Sequence, residues 1–342
     1  MKVKKNPLSK KFICVTLIVF LSTLILNQAY AQKTPEGTAW VSSHGYSNCV
    51  KLYNKNITVI LEPNCGGRVL EYNLNGQNLL YIDPKQNGWT YTPGERIIGP
   101  CAGRFDIGPE MLVPRRNDLW VGKWTAEIIG PRAARLTSVK DKSTGVQLIR
   151  EFRLDRDSSH LSCTQTIANI SDSTKQYNHW SRTFAVGGGV CLVPLSEGSR
   201  FPLGYIYYGP GSILNYLHKE HPNIKVRDGF LELTKAPPEK KFGIDSYAGW
   251  LGYITPGNLL FVKKFPVYPD RVYGEVAAYT ISIWYNEDVN CELEPIGPRE
   301  TLEPGESASF TEEWWLLPYD FPQEGKEVNI KAFRKYVEEN TR

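Results

Sequence analysis

The stretch that decides the fold is Ile57-Thr58-Val59-Ile60-Leu61, then Gly66-Gly67-Arg68-Val69-Leu70-Glu71-Tyr72-Asn73-Leu74, the pair Asn75-Gly76, and Asn78-Leu79-Leu80-Tyr81-Ile82. Aliphatic and β-branched residues come in short runs, as strands require. The Asn-Gly pair between two such runs is the strongest short hairpin signal, because both turn positions need positive φ. Working outward, similar segments recur at about 126–130, 133–140, 146–154, 160–170 and 176–186, and again at about 225–234, 249–255, 258–264, 278–285, 289–296 and 307–317. Turn signals such as Asp141-Lys142-Ser143-Thr144-Gly145 and Pro256-Gly257-Asn258 separate them. One helix is predicted from Asn329 to Glu339, where Ile330, Phe333 and Val337 share a face. Strands of this number bury their inner faces by stacking sheets. The expected class is therefore all-β: a large antiparallel β-sandwich with a short C-terminal helix.

Residues 1–31 read as an export signal. Lys2, Lys4, Lys5, Lys10 and Lys11 precede the apolar run Phe12 to Leu26, and Ala29-Tyr30-Ala31 is a small-x-small cleavage site before Gln32. The run falls short of the roughly 20 residues that cross a bilayer comfortably, so no membrane association is expected after cleavage. Localisation would then be periplasmic or extracellular, and residues 32–342 would form a single domain. Losing five lysines turns the formal net charge of +4 for the full chain into a near balance of 35 basic and 36 acidic residues. No basic patch remains to argue for nucleic acid. Six cysteines would remain, namely Cys49, Cys65, Cys101, Cys163, Cys191 and Cys291. Up to three disulfides or buried free thiols both fit that count, and neither C-x-x-C zinc nor thiol-redox spacing occurs.

Two polar features interrupt the apolar strands: Tyr177-Asn178-His179-Trp180, and Cys291-Glu292-Leu293-Glu294. Alternation on a strand puts Glu292 and Glu294 on one face, and puts Trp180 opposite His179. Other candidates are weaker. His218 and His221 lie in one loop without further ligands, so no metal or cofactor is assigned. Gly187-Gly188-Gly189 is followed by no helix and reads as a bend.

Four segments together resemble the galactose mutarotase-like (aldose 1-epimerase-like) superfamily, and its secreted members most. They are Gly66 to Leu80; Gly99-Pro100-Cys101-Ala102-Gly103-Arg104-Phe105; Gln165 to Asp172 leading into Asn178-His179; and Cys291 to Glu294 with Leu302-Glu303-Pro304-Gly305-Glu306-Ser307. The resemblance implies a carbohydrate ligand, mono- or oligosaccharide. His179 would be the catalytic acid and Glu294 the base, with Arg104, Trp120, Asn178 and Glu292 holding the sugar. A pair of this kind can open an aldose ring by taking a proton from the anomeric hydroxyl and giving one to the ring oxygen. Trp120 stands where the family usually has a histidine; it can stack on a sugar but cannot donate to the ring oxygen as an imidazole does. Arg104 has a second reading as the ion-pair partner of Asp106. The expectation is an exported carbohydrate-binding protein, with isomerase activity of the epimerase type left open. The alternatives are a non-catalytic carbohydrate-recognition protein and a polysaccharide lyase or hydrolase. A hydrolase would pair Glu294 with Asp106 or Glu110 across the cleft.

Overall fold

Burial alternates along Val146–Leu154 and Leu161–Asn169, where every second residue is buried. These strands show one face to the core and one to water. Gly103–Gly108 and Val190–Pro194 are instead buried at every position, so both of their faces are covered. The computed structural model describes residues 34–216, 221–235 and 237–342. The signal expected at 1–31 and the loop residue His218 lie outside the described residues.

Pro35–Arg342 form one compact unit built on two antiparallel sheets. The first runs in the order Thr38–Ser43, Tyr46–Tyr53, Ile57–Glu62, Arg68–Leu74, Gly103–Gly108, Lys175–Val186, Asn290–Leu302, Ile281–Asn286, Lys241–Ile244, Tyr205–Tyr208 and Leu214–Asn215. The second runs Ile224–Arg227, Phe230–Thr234, Val190–Pro194, Trp250–Ile254, Leu259–Lys264, Ser307–Pro318, Leu161–Asn169, Val146–Leu154, Ala133–Thr137 and Thr125–Gly130. This is the all-β sandwich that the periodicity implied. The opening hairpin pairs Ile57 with Leu74, and Asn75 and Gly76 turn at φ of 51° and 86°. The strand expected over Asn78–Ile82 shrinks to Gln77–Asn78. The C-terminal helix spans Ile330–Asn340, capped by Asn329 Oδ1, which accepts from the Ala332 N–H at 3.0 Å. Gly252 leaves room for Phe333, since a Cβ there would lie 2.7 Å from its ring. The six cysteines after residue 31 are all buried and free.

An ion pair is sealed between the sheets. Lys263 and Glu312 are both fully buried, with Nζ 2.9 Å from Oε2. Lys263 also donates to Ser181 Oγ, Thr183 Oγ1 and the Leu293 carbonyl at 2.9, 3.0 and 3.2 Å. Glu312 Oε2 further accepts from Ser181 Oγ at 3.0 Å and from Trp314 Nε1 at 2.8 Å. The lysine thus ties the second sheet to two strands of the first, Lys175–Val186 and Asn290–Leu302.

His179 lies on the same inward face as Ser181 and Thr183, and this corrects its expected role. Its ring is stacked between Phe105 and Phe310, with centroids 5.8 and 5.7 Å away. Nε2–H donates to the Ala308 carbonyl at 3.1 Å. Burial lowers its pKa from 6.5 to about 4, so at neutral pH the imidazole is neutral. A fully buried, neutral ring stacked between two phenyl groups is not placed to deliver a proton to a ligand.

Two stability outcomes follow. Lys263→Met or Glu312→Leu alone strands a buried charge and should cost about 3–5 kcal/mol in urea denaturation, while the double variant should cost far less than the sum. His179 binds its proton only below about pH 4 when folded but near 6.5 when unfolded. Stability should therefore fall as pH drops from 6.5 to 4, by roughly 3 kcal/mol from this group. His179→Phe should flatten that slope in denaturation curves measured at several pH values.

Candidate functional site

The outward face of the first sheet carries a second polar row, set by the same strands. In Lys175–Val186 the residues between the inward ones are Trp180, Arg182 and Phe184. Register pairs Arg182 with Arg104 and Trp180 with Asp106 on one side. On the other side it pairs Phe184 with Glu292. Charged groups at these positions are buried because loops cover this face, so they must satisfy one another.

Arg182 is the hub. Its Nε donates to Glu292 Oε1 at 2.8 Å, its Nη2 reaches Glu292 Oε2 at 3.4 Å, and Nε also lies 3.1 Å from Glu294 Oε1. At its other end Nη1 lies 3.9 Å from Asp106 Oδ2 and 4.0 Å from Glu110 Oε1. Arg116 closes on Asp106 with both ends of its fork, at 2.7 and 2.6 Å. Lys241 Nζ donates to Glu110 Oε2 at 2.9 Å. Trp120 covers three of these cations: the guanidinium carbons of Arg104, Arg182 and Arg116 lie 3.8, 5.1 and 5.3 Å from its ring centroid. Trp180 forms the floor, with Arg182 at 5.0 Å and Lys241 at 5.5 Å from its ring.

Two carboxyl groups here hold protons unusually tightly. Burial, reinforced by Glu292 and opposed by Arg182, raises Glu294 to about 8. Its Oε1 accepts no hydrogen bond, because the nearby Arg182 N–H is spent on Glu292. Burial raises Glu275 to about 7, although the Glu110 N–H donates to it at 3.0 Å. Arg182 is raised against its own burial by Glu292 and Glu294. The arrangement offers a proton donor at neutral pH, fixed cations, and aromatic faces. A cavity of about 320 Å³, lined by Ile97, Glu110, Arg115, Arg116, Asn117 and Trp120, opens beside it.

Of the residues singled out from sequence, Arg104, Trp120, Glu292 and Glu294 are brought together. His179 is not, for the reason given above. Asn178 is fully buried beside Gly108 and Gly274, where a Cβ on either glycine would press on its amide. It buttresses the Glu275 corner. Asp106 pairs with Arg116, so the suggested Arg104–Asp106 bridge is not the one formed. Arg182, Lys241 and Arg116 were missed. Arg182 has a usable signal, since alternation puts it on the face of Trp180, opposite His179. His221 accepts a hydrogen bond from the Asn223 N–H at 3.1 Å within its own loop. A wider concavity of about 690 Å³ lies elsewhere, along Gly188–Val190 and Phe321–Glu327. Three of its charged residues are matched, Lys225 to Glu327 at 2.7 Å and Glu232 to Arg227 at 2.6 Å.

No protein-family model matches the sequence, and no curated protein sequence matches it. Solved structures do match. A proposed aldose 1-epimerase of Escherichia coli K12 superposes with a TM-score of 0.58 at 12% identity, over 78% of this chain and 98% of that one. A galactose mutarotase-like protein of Lactobacillus casei ATCC 334 gives 0.55 at 12% identity, over 79% and 100%. The Slr1438 protein of Synechocystis sp. PCC 6803 gives 0.54 at 16% identity, over 82% and 100%. This chain thus matches nearly the whole of each of these structures, and it has the galactose mutarotase-like fold.

Proposed function

We propose that this is an exported carbohydrate-binding protein whose ligand sits on the outward face of the first sheet, and that Glu294 exchanges a proton with the bound sugar. The observation that carries this reading is the buried Glu294 carboxyl group. It has an oxygen without a hydrogen-bond donor, a pKa near 8 and aromatic residues on the same face. Aromatic faces suit the apolar side of a sugar ring, and fixed cations with carboxylates suit its hydroxyls. The names of the relatives, a proposed aldose 1-epimerase and a galactose mutarotase-like protein, support a sugar as the ligand class.

The raised pKa changes the role assigned to Glu294. A carboxyl group that keeps its proton to about pH 8 is an acid at neutral pH, suited to protonating a ring oxygen. The anomeric proton would pass to water, since Asp106 and Glu110 lie on the far side of Arg182. The hydrolase reading is disfavoured, because the guanidinium of Arg182 lies between Glu294 and those two carboxylates. A glycosidic bond and a water would need that space.

The test is exchange between α and β anomers, followed by NMR for a panel of aldoses. Acceleration by the wild-type protein should fall about 10²–10⁴-fold in Glu294→Gln. It should also decline as pH rises through about 8, where Glu294 loses its proton. His179→Phe should keep most of the activity. Saturable sugar binding without exchange would instead make the protein a recognition module. Export is tested by the N-terminus of the protein secreted from its host, which should be Gln32.

A further inference from the structure

Arg104 is a buried cation that the protein leaves almost unmatched. Its side chain is 5% exposed, and Nε has no hydrogen-bond partner. Nη2 lies 3.9 Å from Glu292 Oε1, beyond hydrogen-bond reach. The other three cations of the face each hydrogen-bond a carboxylate: Arg116 to Asp106, Arg182 to Glu292 and Lys241 to Glu110. Burial, and then repulsion from Arg182, holds Arg104 down at about 9, as expected of a guanidinium short of counter-charge. The ring of Trp120, 3.8 Å away, and that of Phe184, 5.6 Å away, cover it but accept none of its in-plane N–H bonds. Leaving such donors unused in a dry site is costly, and an ionised acceptor offsets that cost better than a hydroxyl.

We propose that the sugar bound here carries one negative charge, a carboxylate or a sulfate ester, and that this group docks on Arg104. The inference rests on the carbohydrate reading above and narrows it to acidic sugars. One unmatched guanidinium calls for one charge, and its planar fork accepts two oxygens of either group side by side. Trp120 joins Arg104 to the outside, since it both stacks on the guanidinium and lines the cavity of about 320 Å³. An entering acidic sugar meets Trp120 first and takes its place at the edge of Arg104.

The experiment is titration calorimetry of the wild-type protein with galactose, galacturonate and galactose 6-sulfate, and with the three glucose counterparts. At least one acidic sugar should bind about tenfold or more tightly than its neutral parent. In Arg104→Gln, checked for folding by circular dichroism, that ratio should fall to about twofold or less. Arg104→Lys, which keeps the charge but loses the fork, should fall between. Neutral parents binding as tightly as their acids would overturn the proposal and leave the carbohydrate reading standing. An acid preference that persists in folded Arg104→Gln would overturn the assignment to Arg104. Binding of none of the six would overturn both readings. The comparison among ligands uses wild-type protein alone, so it decides the charge of the sugar even if the glutamine variant does not fold, and Arg104→Lys then tests the assignment to Arg104.

Discussion

The structure depends on the two-residue alternation of the strand Lys175–Val186, which sits in the middle of the larger sheet with both faces covered. His179, Ser181 and Thr183 point inward; Trp180, Arg182 and Phe184 point outward. Because both faces are largely buried from Tyr177 to Ala185, polar groups on each must be matched locally. The inward hydroxyls are matched by Lys263 and Glu312, and the outward guanidinium by Glu292 and Glu294. Lys263 also grips the Leu293 carbonyl, between those two glutamates. A charge sealed between the sheets therefore holds the backbone that presents the charges outside. Such pairs add little net stability over an apolar core, but they punish a register slip severely, since every charge would then lose its partner.

Much of the fold was legible in the sequence because it is written in short-range rules. The Asn75-Gly76 turn, the alternation through 146–169 and the spacing of Ile330, Phe333 and Val337 each need only neighbouring residues. The site was legible in part. Glu292 and Glu294 share a face by parity alone, and Arg104 stands in a recognisable motif. What failed was the choice of face for His179. Parity says that His179 and Trp180 point apart, but it does not say which direction leads to the ligand. Imidazole is the more reactive of the two groups, which favours the His179 face as the site. Here the indole floors the site, while the imidazole, desolvated between Phe105 and Phe310, behaves as a neutral core residue. The register irregularity between Asn178 and Trp180 falls at this very place, where a motif match is least able to fix facing. Arg116 and Lys241 could not have been found at all, since they arrive from a loop and a distant strand by tertiary packing.

The outward face also shows how one environment sorts similar groups into different roles. Glu292 and Glu294 are two residues apart and both lie against Arg182, yet the guanidinium gives its hydrogen bonds to Glu292 alone. Glu294 is left with burial and a like-charged neighbour, and both favour its protonated form. Among the cations the same division appears: Arg182 takes the carboxylates, and Arg104, one strand away, is left with aromatic cover. The unmatched acid and the unmatched base flank the best-paired residue of the site. A ligand that accepts from protonated Glu294 through a ring oxygen and from Arg104 through an acidic group would satisfy both at once. That complementarity is what distinguishes a face built to receive a molecule from one that merely packs, because a packed face would have spent those groups on each other.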